Sequence, residues 1–247
     1  MFFLTLFIHS SVAADFNCDG FDDLVMGAPG SASFAGRMHI LYGTTAGLSA
    51  SGDQLIDQAT TGVEGTPEAL DSFAASLAAG DFNGDGCDDA VAGVLGEDDF
   101  RGAASVLYGA ASGVTATGDQ LWTQDSSGIE GVAEAYDYFG ASATTGDFND
   151  DGYHDLAVGV MGEEISGVTY AGAINVIYGS SGGLTNAADQ VFYRGNSGVL
   201  GSSSASAMFG TALADGDLNG DGRDDLAVGA SGYRGVRDAA HRRPNSR

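Results

Sequence analysis

The sequence contains no lysine, and nine arginines are its only residues with a permanent positive charge. Against them stand 34 Asp and Glu, so the formal net charge at pH 7 is -25. A chain with this charge is repelled by nucleic-acid phosphates and by anionic lipid surfaces. The composition therefore argues against nucleic acid as a partner.

Proline is scarce as well, with 3 residues against 40 Gly, a ratio typical of many tight turns. No apolar run approaches the ~20 residues that a transmembrane helix needs, so we predict no transmembrane segment. High net charge also occurs in disordered chains. A hydrophobic content of 43% with 13 Phe favours a packed fold instead.

The chain has only two cysteines, Cys18 and Cys87. Two are too few for the disulfide framework of a small secreted domain, and each lies inside a cluster of acidic residues. We therefore predict that both are free thiols.

An acidic segment recurs four times along the chain. DFNCDGFDD begins at Asp15, DFNGDGCDD at Asp81, DFNDDGYHD at Asp147 and DLNGDGRDD at Asp217, at spacings of 66, 66 and 70 residues. A Phe stands eight residues before each segment: Phe7, Phe73, Phe139 and Phe209. Self-similarity at a fixed period predicts a repeat architecture in which each unit is one supersecondary element.

Each unit contains four short strand-like stretches bounded by Gly, Asp, Asn or Ser, as in FAASLAAG, DAVAGV, AASVLYG and DQLWTQ. No segment has the sustained 3.6-residue periodicity of a helical repeat. Repeated four-stranded units of this size predict an all-β fold, a β-propeller. The fourth unit lacks its third and fourth strands, so we expect about three and a half blades and an incomplete propeller.

We assign residues 15–232 to blades, with units starting near residues 7, 73, 139 and 209. The two ends of the chain are treated separately. Residues 1–14 have the apolar run of a signal peptide but no basic start, and residues 7–14 also align with the first strand of the other units. Both interpretations stay open. Residues 233–247 hold five of the nine arginines, and we predict a disordered tail there.

The acidic segments have the composition of calcium loops. Oxygen-bearing side chains stand at positions 1, 3, 5 and 9, and a Gly at position 6 permits a sharp turn. Calcium takes six to eight oxygen ligands from carboxylates, amides and backbone carbonyls. With the carbonyl at position 7, the predicted ligands are Asp15, Asn17, Asp19, Phe21 and Asp23; Asp81, Asn83, Asp85, Cys87 and Asp89; Asp147, Asn149, Asp151, Tyr153 and Asp155; and Asp217, Asn219, Asp221, Arg223 and Asp225.

Two other interpretations of these loops are weaker. An EF-hand needs a bidentate Glu at position 12 and flanking helices, but position 12 here is Met26, Ala92, Val158 or Val228. Solvated Asp-Gly turns would explain one copy but not the same positions in four. We therefore predict up to four Ca²⁺, each in a loop that joins two strands of one sheet.

The sequence contains no complete catalytic motif. Gly179–Gly183, GSSGG, matches the nucleophile elbow G-x-S-x-G, but it is the repeat equivalent of GTTAG and GAASG. We interpret it as a turn. The four His show no H-E-x-x-H spacing, and His154 stands at position 8 of an acidic loop. We predict no catalytic residues.

The arrangement resembles the FG-GAP repeats of integrin alpha subunits and their bacterial relatives. Phe139–Gly140 and Phe209–Gly210 match FG, and Gly27–Pro29 match GAP, with the acidic loop between them. Ala74 departs from FG, and GVL and GVM replace GAP in the second and third units. The family fold that the resemblance implies is a seven-bladed propeller, which three and a half blades cannot close, so the resemblance implies a fragment, a partial propeller or an assembly.

These observations predict an extracellular module, secreted or at the cell surface, for adhesion or for binding a protein or glycan. The expected binding surface is the rim opposite the acidic loops, with Glu64, Glu130, Tyr136 and Tyr138 exposed. An accessory or fragmentary domain of a secreted hydrolase is the alternative, because FG-GAP blades also accompany such enzymes. A product without independent function is a third, weaker possibility.

Overall fold

The computed structural model describes residues 10–232. The expectations for Phe7, for residues 1–9 of the signal-like segment assigned to residues 1–14, and for a disordered tail in residues 233–247 lie outside the described residues. Among residues 10–232 no helix is long and apolar enough to cross a bilayer.

Fourteen strands form four antiparallel sheets, and the predicted all-β fold of four-stranded blades is confirmed. The first blade contains β1 (Ser11–Ala14), β2 (Asp23–Gly27), β3 (Met38–Tyr42) and β4 (Ser49–Ile56); the second β5 (Phe73–Gly80), β6 (Asp89–Val94), β7 (Ala103–Tyr108) and β8 (Thr115–Trp122); the third β9 (Phe139–Gly146), β10 (Asp155–Val160), β11 (Ala173–Tyr178) and β12 (Thr185–Phe192); and the last sheet β13 (Phe209–Gly216) and β14 (Asp225–Ala230).

Each sheet is a meander, because every strand pairs with the next one along the chain. The strands therefore alternate in direction, and their connections alternate between two rims. One-turn segments α1 (Ser31–Phe34) and α2 (Glu97–Phe100) lie between the second and third strands of the first two blades. Their inner residues have left-handed backbone angles, as at Asp98 with φ 47°. No sheet closes on itself within residues 10–232.

The core lies between blades. One cluster of buried apolar side chains joins the first blade to the second, and another joins the second to the third. Phe16 and Phe82, at position 2 of their acidic loops, are fully buried in these clusters, as are Phe73 and Phe139 at the start of the innermost strands. Burial of apolar area against the neighbouring unit is the main stabilising term in repeat folds.

Main-chain atoms of adjacent blades meet where the FG dipeptides stand. A Cβ on Gly93 would come within 2.2 Å of the carbonyl oxygen of Gly140, and one on Gly159 within 2.1 Å of that of Gly210. The Ser76 hydroxyl donates to the same Gly140 oxygen at 2.8 Å. Glycine in the second strand therefore lets the next innermost strand approach closely.

The residue after the Phe that begins each of β5, β9 and β13 has a left-handed backbone. Gly140 has φ 87° and Gly210 has φ 88°, values that glycine adopts without steric cost. Ala74 occupies the same position in the second blade with φ 63°, and its carbonyl oxygen lies 2.2 Å from where a Cβ on Gly27 would stand. The departure from FG therefore leaves an alanine in a strained conformation.

The prediction of free thiols is wrong, because Cys18 and Cys87 form a disulfide. Cys18 stands at position 4 of the first acidic loop and Cys87 at position 7 of the second. Spacing along the chain did not reveal the pair, because their separation of 69 positions is close to one blade repeat, which returns the chain to the same rim. Their Cα atoms are 4.8 Å apart, within the range that a disulfide spans.

The same pair of loop positions is in contact at the next two junctions, with different chemistry. The ring of Tyr153 covers Gly84, where a Cβ would come within 2.7 Å of the ring. Asp150 and Arg223 form an ion pair of 3.4 Å that is 58% exposed on each side. We call this contact between position 4 of one loop and position 7 of the next the loop clasp.

Ala74→Gly should stabilise the protein by about 1 kcal/mol, because glycine relieves the left-handed strain. Thermal unfolding followed by circular dichroism measures the change. The control is Ala75→Gly at the adjacent buried residue, which should destabilise by about 1 kcal/mol. A midpoint that falls equally in both variants would contradict the assigned backbone strain.

Joint replacement of Cys18 and Cys87 by Ser should destabilise the fold by up to about 4 kcal/mol, the chain-entropy value for a loop of this length. Arg223→Ala should cost less than about 1 kcal/mol, since its ion pair is exposed. Unfolding midpoints of both variants test the comparison. Alkylation of the folded, unreduced protein should label no cysteine, and labelling of both would refute the disulfide.

Candidate metal centres and the opposite rim

Each acidic loop connects the first and second strands of a sheet, so all four lie at one rim. In the second blade the loop follows Gly80, the last residue of β5, and ends at Asp89, the first residue of β6. The turn between the third and fourth strands reaches the same rim, where Asn83 and Asp85 line a cavity with Thr115. Because successive strands are antiparallel, these connections all lie on the same side of the sheets.

The carboxylate at position 1 organises each loop. In the second loop Asp81 accepts backbone N–H groups from Gly84 at 2.7 Å, Asp85 at 3.2 Å and Gly86 at 2.9 Å. The N–H groups at positions 5 and 6 bind the position-1 carboxylate in all four copies. The backbone thus wraps round this carboxylate, which explains the demand for Gly at position 6, where Gly86 has φ 89°.

The side chains at positions 3 and 5 also accept hydrogen bonds from the backbone of their loop. The Asn83 side-chain oxygen accepts the N–H of Asp85 at 2.8 Å, and Asp85 accepts that of Cys87 at 3.0 Å. Such Asx turns hold short polar side chains in a fixed direction relative to the backbone. The side chains at positions 1, 3 and 5 are therefore each held by the backbone of their own loop.

The acid at position 9 is buried in the first three loops. Asp89 is fully buried, and its two oxygens accept the N–H groups of Phe82 and Gly109, both at 2.9 Å. Burial raises the pKa of Asp89 to about 7, although these two hydrogen bonds act in the opposite direction. Asp155 has the same contacts, and burial raises its pKa to about 6. Each acid ties its loop to the next turn of the sheet.

Position 8 has a role that the sequence interpretation missed. Asp88 accepts the N–H of Asp15 at 3.0 Å and donates its own N–H to the Asp15 carbonyl at 3.0 Å. His154 makes the same pair of bonds to Asp81, with Nδ1 as the acceptor at 3.2 Å. The signal was a hydrogen-bond acceptor at position 8 in every copy. This residue joins adjacent loops along the rim.

The predicted ligand sets fit an oxygen-seeking cation by their chemistry, because they consist of carboxylates, an amide and backbone carbonyls. The side-chain oxygens at positions 1, 3 and 5 also serve as acceptors for the loop backbone, and each carboxylate oxygen has a second lone pair. Within residues 10–232, no group of three or more His, Cys, Asp or Glu is arranged closely enough to hold a metal.

The suspected nucleophile elbow is a turn. Ser180 donates through its hydroxyl to the carbonyl of Gly183 at 2.7 Å, and the Gly183 N–H donates to the Ser180 carbonyl at 2.8 Å. The strand β12 follows at Thr185 instead of a helix. The segment therefore lacks the strand-to-helix geometry of a catalytic serine.

Aromatic side chains gather on the opposite rim, between the second and third blades. The rings of Phe100 and Tyr136 stack with centroids 5.6 Å apart, and Tyr138 lies 5.9 Å from Phe100. Tyr136 is 49% exposed and Tyr138 is half-buried. The predicted exposure holds for Tyr136 and is only partial for Tyr138. We call these three residues the aromatic cluster.

The acids expected on this rim also serve the structure. Glu64 accepts the N–H of Leu121 at 3.2 Å and donates its own N–H to Asp119 at 2.6 Å. The N–H of Glu130 donates to Asp189 at 2.8 Å. Both Glu residues are exposed, and both belong to links that fasten one blade to the outermost strand of the next.

Comparison with known proteins places these features in a family. The FG-GAP repeat model matches residues 7–41, 73–107, 139–177 and 209–241. Integrin alpha-5 of Xenopus laevis is 30% identical over 239 residues, which is 93% of this chain and 21% of the integrin. The chain thus spans about one fifth of the length of that relative.

Two further proteins share part of the likeness. The phosphatidylinositol-glycan-specific phospholipase D of Bos taurus is 40% identical over 95 residues, 38% of this chain and 11% of the phospholipase. The solved structure of rhamnogalacturonan lyase YesW has 13% sequence identity and a TM-score of 0.48, covering 89% of this chain and 39% of the lyase. The four matched segments, together with the main-chain contacts that its FG and GAP positions make, establish that the chain belongs to the FG-GAP repeat family.

Proposed function

We propose that the chain is an extracellular FG-GAP module in which Ca²⁺ stabilises the blades and the opposite rim binds a protein or glycan, as in adhesion. The observation that carries this proposal is the acidic loop itself. Four loops orient the same oxygen-bearing positions by the same backbone hydrogen bonds, at one rim of the sheets.

In each loop the side chains at positions 1, 3, 5 and 9 and the carbonyl at position 7 would hold the ion. A bound cation supplies positive charge beside the buried carboxylate at position 9, whose ionisation burial disfavours. The loops contain 16 of the 34 acidic residues, so calcium would also relieve much of the self-repulsion of the chain. Calcium is structural in this proposal, and the chain has no catalytic role.

The proposed compartment is outside the cell. Disulfides such as Cys18–Cys87 are typical of oxidising compartments. Calcium loops of modest affinity, about 10⁻⁴ to 10⁻³ M, suit the calcium-rich extracellular medium. The integrin alpha relatives support the same location, at the cell surface or secreted.

The aromatic cluster is the part of the opposite rim best suited to a ligand. Exposed aromatic rings offer large apolar contact area at low cost in side-chain entropy, which is why they are enriched in binding sites. Tyr136 has an exposed ring and a left-handed backbone with φ 74°. This strained conformation must be maintained by the surrounding main chain.

A second candidate function is that of an accessory domain of a secreted hydrolase, supported by the similarity to the phospholipase D over 95 residues. A coding sequence that continues in frame into a hydrolase domain would favour this alternative. Loss of ligand binding in Tyr136→Ala, with an unchanged melting temperature, would favour the adhesion function.

Calcium at about 10 mM should raise the melting temperature above that in chelator, because each site of this affinity adds about 1.4 to 2.7 kcal/mol to the folded state. Asp85→Asn removes one carboxylate ligand and should reduce this increment. The matched control is Asp53→Asn, an exposed acid outside the loops, which should leave the increment unchanged. Identical melting temperatures in calcium and chelator would refute the proposed calcium sites.

A further inference from the structure

The outer edge of the last sheet is open within the part of the chain that the structure describes. Its second strand, β14, pairs with β13 only, whereas the second strand of each of the first three blades also pairs with a third strand. The N–H and C=O groups along this edge of β14 are therefore available to another strand. Because a two-stranded sheet is marginally stable in water by itself, an added strand would stabilise this one.

An apolar groove of about 330 Å³ lies beside this edge, between the third blade and β13–β14. Phe148, Leu226 and Val228 are among the side chains that line it. Phe148 is partly exposed, although Phe16 and Phe82, at the same position of their loops, are fully buried. The groove thus leaves accessible a surface that the two complete junctions between blades bury.

Residues from the third strand and the following turn of the next blade fill this space at the complete junctions. Leu107 and Val114 of the second blade pack on the first, and Ile177 and Leu184 of the third blade pack on the second. All four side chains are 4% exposed or less. The equivalent occupant of the groove is therefore a β-hairpin, the third and fourth strands of a blade.

A tyrosine and a glutamine of the preceding blade hold the backbone of that hairpin. The Tyr42 hydroxyl accepts the N–H of Val114 at 3.0 Å, and the Gln54 amide donates to the Val114 carbonyl at 3.0 Å. The Tyr42 hydroxyl also donates to Gln54, which orients the two side chains relative to each other. We call such a tyrosine and glutamine the Tyr–Gln pair.

The second blade holds the third in the same way. The Tyr108 hydroxyl accepts the N–H of Leu184 at 3.3 Å, and Gln120 donates to the Leu184 carbonyl at 3.0 Å. The residue before Leu184 is Gly183, where a Cβ would lie 1.9 Å from the Tyr108 hydroxyl oxygen. The Tyr–Gln pair therefore recognises the backbone of an aliphatic residue that follows a glycine.

The third blade has a Tyr–Gln pair that holds no described residue. Tyr178 and Gln190 stand in β11 and β12 as Tyr108 and Gln120 stand in β7 and β8, and both line the groove. Within residues 10–232 neither side chain has a hydrogen-bond partner. The groove thus contains polar groups placed to bind the main chain of an occupant.

Asp225 also has a different partner from its counterparts in the first three loops. In those loops the acid at position 9 accepts the N–H of the glycine that follows the third strand, as Asp89 does from Gly109 at 2.9 Å. The corresponding oxygen of Asp225, Oδ1, accepts the side-chain amide of Asn219 at 3.2 Å instead. A hairpin in the groove would offer Asp225 a backbone N–H in place of that amide.

Residues 233–247 do not have the sequence of such a hairpin. In the alignment of the repeats, Arg243 takes the place of Leu107 and Pro244 that of Tyr108. Arginine is unsuited to an apolar groove, and proline cannot donate to a strand ladder. A second copy of this chain is unsuited as well, because its hairpins are the outer halves of complete sheets, whose inner strands would overlap β13 and β14.

We propose that this groove binds a β-hairpin of a separate polypeptide, which adds to β14 as a third and fourth strand. The hairpin has an aliphatic residue after a turn glycine, and the Tyr–Gln pair of Tyr178 and Gln190 binds the N–H and C=O of that residue. In this mode of recognition the main-chain bonds supply affinity and the side-chain pockets supply specificity. The site is a blade face, so it is distinct from the ligand surface proposed at the opposite rim.

A synthetic peptide of residues 103–122, the β7–β8 hairpin, tests the proposal because it contains Gly113 and Val114. The fluorescein-labelled peptide is titrated with the full chain, and fluorescence anisotropy should show saturable binding. Tyr178→Phe, which removes only the hydroxyl, should weaken binding by about 10-fold. The matched control is Tyr170→Phe, outside the groove, which should leave the affinity unchanged.

The peptide provides a second pair of variants. Gly113→Ala should weaken binding by at least about 10-fold, because its Cβ would collide with the tyrosine hydroxyl, as it would in the first junction at 2.1 Å. Gly118→Ala should weaken binding far less. Both glycines have a left-handed backbone, with φ 98° and 76°, but a Cβ on Gly118 meets nothing within 4 Å.

Absence of saturable binding to the wild-type chain would overturn the proposal, and occupation of the groove by residues 233–247 or by a second copy would give that result. Equal affinity of the wild type and Tyr178→Phe, or equal losses from the two glycine variants of the peptide, would also overturn it. Unchanged melting temperatures show that the protein variants are folded. If Tyr178→Phe does not fold, Gln190→Ala, at an exposed residue, tests the same pair with the same expected loss.

Discussion

Blade packing in this protein depends on the close approach of main-chain atoms from adjacent units. The carbonyl oxygen of the residue after Phe73, Phe139 or Phe209 lies against a glycine in the second strand of the preceding blade, with no space for a Cβ. Because each repeat contacts only its neighbours, this contact fixes the distance at which the apolar clusters fill the space between blades. Phe73 and Phe139, which directly precede two of the residues that make this contact, are fully buried.

The acidic rim shows how one backbone solution accommodates different side chains. Position 8 couples adjacent loops through Asp88 or His154, because the contact needs only an acceptor beside a backbone N–H. The loop clasp tolerates still more variation: a disulfide, a tyrosine ring on glycine and an exposed ion pair occupy the same place. The backbone geometry is thus common to the loops, while the strength of their coupling differs along the rim.

Acids whose ionisation burial disfavours stand at both rims. Asp89, at position 9 of its loop, is fully buried, and Glu163 at the opposite rim is partly buried; burial raises the pKa of each to about 7. A carboxylate in such a place needs a proton or a cation to offset its desolvation. In a chain with no lysine, the calcium proposed for the acidic loops would supply that charge beside Asp89.

Periodicity in the sequence by itself determined the repeat, the four-stranded blades and the acidic loops, because strand patterns and Asx turns arise from interactions between residues close in the chain. The tertiary structure decided which residues of different blades contact each other. Cys18 meets Cys87, Gln58 meets Glu97 and Asp88 meets Asp15 across separations of 39 to 73 residues. Such pairs depend on how far each blade turns relative to the last, and that angle is set by packing between blades.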